Sequence, residues 1–258
     1  MERIDVAVVG ACVVWLATAC AVAQRGHVTC LFEVRPRPGL EASTHNSGVI
    51  RAGLYYPNGS LKAQLCVEGR ERMYRFCSDH DIPHARCGKL VVAAHASEIT
   101  ALEALAARAH ANGVEDVEIV DRGFLRRHEP QVEGVAAVWS PSTGIVEAEA
   151  LVRSLRKAAS RTVHILPSTR VTGGTARTGG IEIQTNRERL LASVVVNAAG
   201  LYADDVSAML GGESFAIYPV RGEYAELLPR ARQLVSRPVY PLPDRSGHSL
   251  GVHLTPTT

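Results

Sequence analysis

Gly10-Ala11-Cys12-Val13-Val14-Trp15, with Glu33 further on, is the first constellation whose residue types and spacing suit a chemical task. A short β-branched run, Asp5 to Val9, leads into Gly10, and Val13 to Arg25 reads as a helix closed by Gly26. His27 to Phe32 reads as a second strand that ends on Glu33. A strand-to-helix turn of this kind can lay backbone N–H groups and a positive helix end against a pyrophosphate. An acid about 20 residues later can hold ribose hydroxyls. Gly10, Cys12, Val13 and Glu33 are therefore the candidate dinucleotide-binding residues. Cys12 and Trp15 stand where such a turn prefers glycine. Overpacking a helix–strand contact by a few methylenes costs roughly 1–3 kcal/mol, so Trp15 must turn outward, tilt the helix or destabilise the unit. Taken alone, the turn reads equally as a glycine-capped hydrophobic corner with no ligand.

Cys77-x-x-His80-x-x-x-His84-x-x-Cys87 has the residue types and spacing of a four-ligand zinc site. Against a metal, Cys77 and His80 end a predicted helix while His84 and Cys87 flank a proline loop; the expectation is no metal. No G-x-S-x-G is present, and no Ser-His-Asp order stands out.

These groups need elements to position them. Ser60 to Asp79 is predicted as a helix capped by Ser60, Lys89 to Ala94 as a strand, and Ser97 to Asn112 and Ala148 to Ala159 as helices. Val163–Leu166, Thr169–Thr172 and Ile181–Gln184 read as meander strands, with Gly173-Gly174 and Gly179-Gly180 as turns. Ser193 to Asn197 reads as a buried strand, Phe215 to Leu227 as a long alternating strand, and Gly251 to Thr255 as a last strand. The apolar run Val6 to Ala23 is long enough to suggest a membrane span or an export signal. Its mixed-charge start and the β-α-β pattern favour a buried strand-turn-helix instead. The 46% apolar and 21% charged content supports a sizeable core, and a net charge of +2 without a basic stripe argues against nucleic acid. Six cysteines confined to the first third do not form a disulfide framework, which points to a reducing compartment.

Beyond the first turn, Ser43-Thr44-His45-Asn46-Ser47-Gly48-Val49-Ile50 with Ala52-Gly53-Leu54-Tyr55-Tyr56 resembles the signature loop of L-2-hydroxyglutarate oxidases and dehydrogenases, among the D-amino-acid-oxidase-like flavoproteins. Cys87-Gly88-Lys89-Leu90, Trp139-Ser140-Pro141, Thr143-Gly144-Ile145 and Asn197-Ala198-Ala199-Gly200 are similar to the same family in the same order. So are Tyr218-Pro219, Arg221-Gly222-Glu223-Tyr224, and Val239-Tyr240-Pro241 through Leu254-Thr255. Arg51 departs from the family, which usually has histidine there, and family members run on past the last strand, so the chain looks C-terminally truncated.

The resemblance implies an α/β fold: a Rossmann-type FAD-binding domain (1–80 and 145–212) interleaved with an α+β substrate domain on an antiparallel sheet (81–144 and 213–258). It implies FAD as cofactor, with Ser47, Gly48, Ala199 and Gly200 near the flavin and Val171 near the adenine; a plain core role for Val171 stays open. The implied reaction is oxidation of L-2-hydroxyglutarate or a similar 2-hydroxy acid to the 2-oxo acid, with oxygen or a membrane acceptor taking the electrons. Such a substrate needs cations for its carboxylates and a base for its hydroxyl. His45, Arg221 and His253 are the catalytic candidates, with Lys62 a further cation and Tyr55, Tyr56 and Tyr240 able to orient the acid. Residues 216–227 would floor the pocket. The protein is expected to be cytoplasmic, or peripheral to the inner membrane. The rival reading is a non-catalytic remnant of the family with impaired FAD binding.

Overall fold

A computed structural model of the chain describes residues 1–243 and 251–258. In chain order, β1 (Glu2–Val9), α1 (Val13–Ala23) and β2 (Thr29–Phe32) open the fold. Then follow β3 (Val49–Ile50), α2 (Leu61–Asp79), β4 (His84–Ala85), β5 (Lys89–Ala93), α3 (Ile99–Ala111), β6 (Glu118–Asp121), α4 (Arg122–His128), β7 (Ala136–Ser140) and β8 (Gly144–Val146). The rest is α5 (Ala148–Ala159), β9 (Val163–Leu166), β10 (Val171–Arg177), β11 (Gly180–Thr185), β12 (Arg189–Asn197), α6 (Ala203–Met209) and β13 (Val239–Pro241). By packing, the chain divides into two units, Met1–Asn46 with Ala148–Glu223 and Ser47–Glu147 with Tyr224–Thr258. The first break falls at 46 where the sequence reading has 80, so α2 packs with the second unit.

In the first unit a six-stranded sheet runs β10-β11-β12-β1-β2-β9. β1 is parallel to both neighbours, β2 and β12, as the β-α-β reading requires. Ala7 and Val8 in β1 are fully buried, which is why that run is continuously apolar and not alternating. The apolar stretch 6–23 is strand, turn and helix. No helix among the described residues is long and apolar enough to cross a membrane. The helix α1 turns Leu16 and Ala19 inward and leaves Trp15 half-buried, the outward placement its volume demands.

The second unit holds a four-stranded sheet, β13-β5-β7-β6, and a small sheet, β3-β8-β4. The larger sheet is antiparallel except at β13, which lies parallel to β5. The helix α3 buries Leu102, Leu105, Ala106 and Ala109 in one cluster with Val91, Ala93 and Val138. Ser60 caps α2 as its position predicts, its hydroxyl accepting the Ala63 N–H at 3.2 Å. Ser60→Ala should therefore lower stability by about 1 kcal/mol, read as an earlier urea midpoint. An unmoved midpoint would mean that this cap contributes nothing.

Five elements differ from the sequence reading. Val163–Leu166 joins no meander: as β9 it lies at the far edge of the six-stranded sheet, parallel to β2. Ser193 to Asn197 ends β12 with Ser193 and Val194 exposed, not buried. Phe215 to Leu227 forms no strand. Tyr218 is 85% and Val220 88% exposed, and neither parity of the alternating pattern meets a neighbouring strand among the described residues. Alternation makes a strand only where a sheet edge is there to pair with it. Gly173-Gly174 is not a turn but lies inside β10, where the register shifts between Val171 and Gly173. A Cβ on Gly174 would sit 2.4 Å from Leu210 Cδ2, so this glycine serves the close approach of the segment after α6. The last strand, 251–255, shrinks to one antiparallel bridge between Val239 and Leu254. Residues 244–250, within the motif that joins those two, lie outside the described residues.

Candidate functional site

The predicted cradle takes shape in the first unit. Gly10 has φ +106° and its N–H donates to Phe32 O at 2.8 Å, while Ala198 N–H donates to Val9 O at 2.9 Å. A Cβ on Gly10 would lie 2.4 Å from Ala198 O, so the carboxyl ends of β1, β2 and β12 meet over a position only glycine fills. The chain leaves β1 toward β2 on one side and returns beside it as β12 on the other. That reversal is where open α/β sheets form their ligand crevice.

Glu33 is buried at the end of β2, and its two carboxylate oxygens accept the Ala11 N–H at 2.9 Å and the Arg35 N–H at 2.7 Å. Burial pushes its pKa above the usual carboxylate value, opposed by those two N–H donors. Each oxygen keeps a lone pair for a ribose hydroxyl. Cys12 N-caps α1 without a side-chain cap bond, and the Val13 N–H donates to Ser43 Oγ at 2.8 Å. Burial pushes the Cys12 thiol up as well, so at neutral pH it adds no charge against a phosphate. Asn197 braces the second turn, donating to Ala203 O at 2.6 Å and accepting the Ala199 N–H at 3.3 Å, with Gly200 at φ +58°. These groups fit a dinucleotide in backbone geometry and charge, with Cys12 adding side-chain bulk where glycine would leave room. Val171 is buried in the core with Ile4, Val9 and Phe32.

Ser47 and Gly48 belong to the second unit. Gly48, at φ +62°, leaves no room for a Cβ, which would meet Val146 O at 2.6 Å. The three catalytic candidates are not brought together by any hydrogen bond or ion pair among the described residues. His45 is exposed, its Nδ1 bonded to Glu41 O at 3.0 Å. Arg221 is also exposed and pairs with Glu223 at 3.2 Å. His253 stacks on Tyr240, centroids 4.0 Å apart, and its Nδ1 lies 2.9 Å from Gly251 O. A carbonyl can only accept, so Nδ1 carries the proton and a neutral ring keeps Nε2 as a free base.

Sequence reasoning did not single out Lys89 as a buried charge. In the second unit Val49, Arg51, Tyr55, Tyr56, Lys89, Thr143 and Tyr240 line a cavity of about 20 Å³, room for one water-sized group. Lys89 is 4% exposed. Its Nζ sits 3.4 Å from the Tyr240 ring centroid and 4.8 Å from that of Tyr55, and no carboxylate pairs with it among the described residues. The Tyr55 hydroxyl is buried with no hydrogen-bond partner. Lys62 instead lies over the Tyr56 ring at 4.8 Å. The available signal was a lysine opening an otherwise apolar buried run, Lys89-Leu90-Val91-Val92-Ala93.

The zinc-like foursome is separately satisfied. Cys77 is fully buried, and His80 and His84 bond Phe76 O and Ile82 O. No cluster of three or more metal-ligating side chains occurs among the described residues.

Comparison with known proteins agrees with this geometry. The profile of the DAO family, described as FAD dependent oxidoreductase, matches residues 5–258. L-2-hydroxyglutarate dehydrogenase of Escherichia coli K12 is 39% identical over 228 residues, covering 87% of this chain and 54% of the relative. The mitochondrial L-2-hydroxyglutarate dehydrogenase of Nematostella vectensis is 36% identical over 276 residues, 99% of this chain and 60% of the relative. This chain thus spans about 60% of such relatives' length. Among solved structures, the FAD-bound L-alpha-glycerophosphate oxidase of Mycoplasma pneumoniae superposes with a TM-score of 0.83 at 25% identity, covering 96% of this chain and 67% of that one. Glycine oxidase of Geobacillus kaustophilus shares the fold, with a TM-score of 0.84 at 23% identity over 100% of this chain and 69% of that one. The glycine turn, the buried acid at the end of β2 and a family match over nearly the whole chain place this protein in the family of FAD-dependent oxidoreductases.

Proposed function

We propose that this chain carries the FAD-binding part and a portion of the substrate site of an oxidoreductase that converts L-2-hydroxyglutarate, or a similar 2-hydroxy acid, to the 2-oxo acid. The observation that carries this reading is the cradle, in which Gly10 closes against Ala198 and Glu33 waits at the end of β2. Gly10, Cys12 and Val13 would present backbone to the pyrophosphate, Glu33 would hold the ribose, and Val171 would meet the adenine. Ser47, Gly48, Ala199 and Gly200 would approach the flavin. Bound FAD supplies the hydride acceptor. The residues supply the rest: His253 Nε2 is the candidate base for the substrate hydroxyl, with His45 the alternative, and Arg221 a candidate carboxylate partner. Relatives named L-2-hydroxyglutarate dehydrogenase support this choice of acid. Oxygen or a membrane carrier would reoxidise the flavin, in a cytoplasmic protein or one peripheral to the inner membrane.

The purified chain, incubated with FAD and passed through gel filtration, tests the reading. It should retain flavin absorbance, weakly at first and more firmly in Cys12→Gly. Mixed without oxygen, L-2-hydroxyglutarate should bleach the bound flavin about 10- to 100-fold faster than L-2-hydroxybutyrate, which lacks one charge-assisted bond of roughly 1.5–3 kcal/mol. Cys12 and Trp15 favour a second reading, a non-catalytic member of the family; flavin that binds but does not bleach would establish it. A chain that takes up no FAD would end the first.

A further inference from the structure

Buried cations in proteins are ordinarily paired, and buried hydroxyls ordinarily bonded. Among the described residues, the second unit breaks both rules in one small cavity, at Lys89 and at Tyr55. The faces of Tyr55 and Tyr240 attract the ammonium but accept no strong hydrogen bond, so its N–H donors still want acceptors. The titratable groups lining the cavity with Lys89 are Arg51, Tyr55, Tyr56 and Tyr240, with His253 stacked on Tyr240. All of them are hydrogen-bond donors or cations, and no carboxylate is among the described residues that line the cavity. A cavity with this inventory is complementary to an anion that accepts from several sides and carries one small oxygen into it.

We propose that Lys89 and Tyr55 form a carboxylate-binding subsite, with Lys89 Nζ as the principal cation and the Tyr55 hydroxyl as a second donor to the same carboxylate. The proposal rests on the oxidoreductase reading only for the kind of acid, a short dicarboxylate; the complementarity is a property of the cavity. Burial first, and Arg51 second, push the Lys89 pKa down to about 7. An anion at Nζ would restore the charged form, so binding above neutrality must take up a proton. Lys157, exposed on α5 in the first unit, is the control.

The test is calorimetric titration of the full chain with glutarate, and with the uncharged diamide glutaramide, at pH 7, 8 and 9. Glutarate is expected to bind and glutaramide not. Lys89→Met should weaken glutarate at least tenfold at pH 7, Tyr55→Phe about three- to tenfold, and Lys157→Met not at all. Wild-type affinity should fall about tenfold per pH unit above 7, and that slope should vanish in Lys89→Met. Circular dichroism checks that each variant is folded; if Lys89→Met is not, Tyr55→Phe and the wild-type slope decide. Wild-type affinity without a pH slope, Lys89→Met binding like wild type, an equal loss in Lys157→Met, or no glutarate binding would each overturn the subsite. A chain that binds glutarate through Lys89 but no FAD keeps the subsite and ends the oxidoreductase reading. A flavoprotein whose glutarate affinity ignores Lys89 does the reverse.

Discussion

Gly10→Val is expected to remove about 2–6 kcal/mol from the first unit and, with it, any hold on FAD. Two costs add at this position. Gly10 sits at φ +106°, where a β-branched residue is strained by roughly 1–3 kcal/mol. A Cβ there would also lie 2.4 Å from Ala198 O and 2.9 Å from Ala198 C, both backbone atoms that cannot rotate away. Forcing β1 and β12 apart adds roughly 1–3 kcal/mol of overpacking. Small domains hold only about 5–15 kcal/mol in total, so the variant should unfold at markedly lower urea or fail to accumulate. Gly59→Ala is the comparison: its φ is +74° but no atom lies within 4 Å of its Cβ, so only conformational strain remains. If the two variants lose equal stability, the close approach at Gly10 is not what the fold depends on.

The strand-turn-helix-strand around Gly10 was legible because every signal in it is local: a β-branched run, a glycine, an apolar helix and an acid at the expected spacing. The helices α1, α2, α3 and α5 were legible for the same reason, α2 through its serine cap and α5 with both ends as read, whereas the short helices α4 and α6 were not read. What failed depended on distant partners. Gly173-Gly174 and Gly179-Gly180 look alike in sequence, yet only the second pair turns the chain, Gly180 opening β11. The first is held flat in β10 by pairing with β11, and its small size serves Leu210. Phe215 to Leu227 alternates like a strand, but no edge receives it among the described residues.

The candidate site was half legible for a related reason. The residues at the β1–α1 turn are contiguous, and Glu33 is one strand away, so spacing alone pointed to them. Tyr55, Tyr56 and Tyr240 were visible as polar aromatics, but nothing local told which cation they surround. Arg221 and His45 sit in family-like motifs, yet one is paired with Glu223 and both are exposed. Lys89 looked like an ordinary strand residue, because its neighbours in space come from the loop after β3 and from β13. Only tertiary structure reveals that its charge has aromatic faces around it and, among the described residues, no carboxylate.

That missing partner makes Lys89→Met a stabilising substitution whose size depends on pH. The folded-state pKa of Lys89 is about 7, well below its ordinary value of 10.5. Below pH 7 both folded and unfolded chains carry the proton, and the cost of burying the charge is present in full. As pH rises from 7 toward 10.5 the folded chain has released the proton while the unfolded chain still holds it, so stability rises. Raised thiols work the other way: burial pushes Cys30 and Cys77 up to about 11, so from about pH 9 the unfolded chain loses thiol protons that the folded chain keeps, and stability falls. The clean window for Lys89 is therefore pH 7 to 9. Across it, the advantage of Lys89→Met over wild type should shrink by about 1.4 kcal/mol per pH unit, or about 2–3 kcal/mol in all. Methionine keeps the length of the stem and packs softly against Tyr55 and Tyr240, so little of the effect should come from a cavity. Urea unfolding of both proteins at pH 6, 7, 8 and 9 measures the difference directly. A stability difference that stays constant across those four pH values would mean that Lys89 is charged in the folded protein throughout, and that some group beside it supplies the counter-charge.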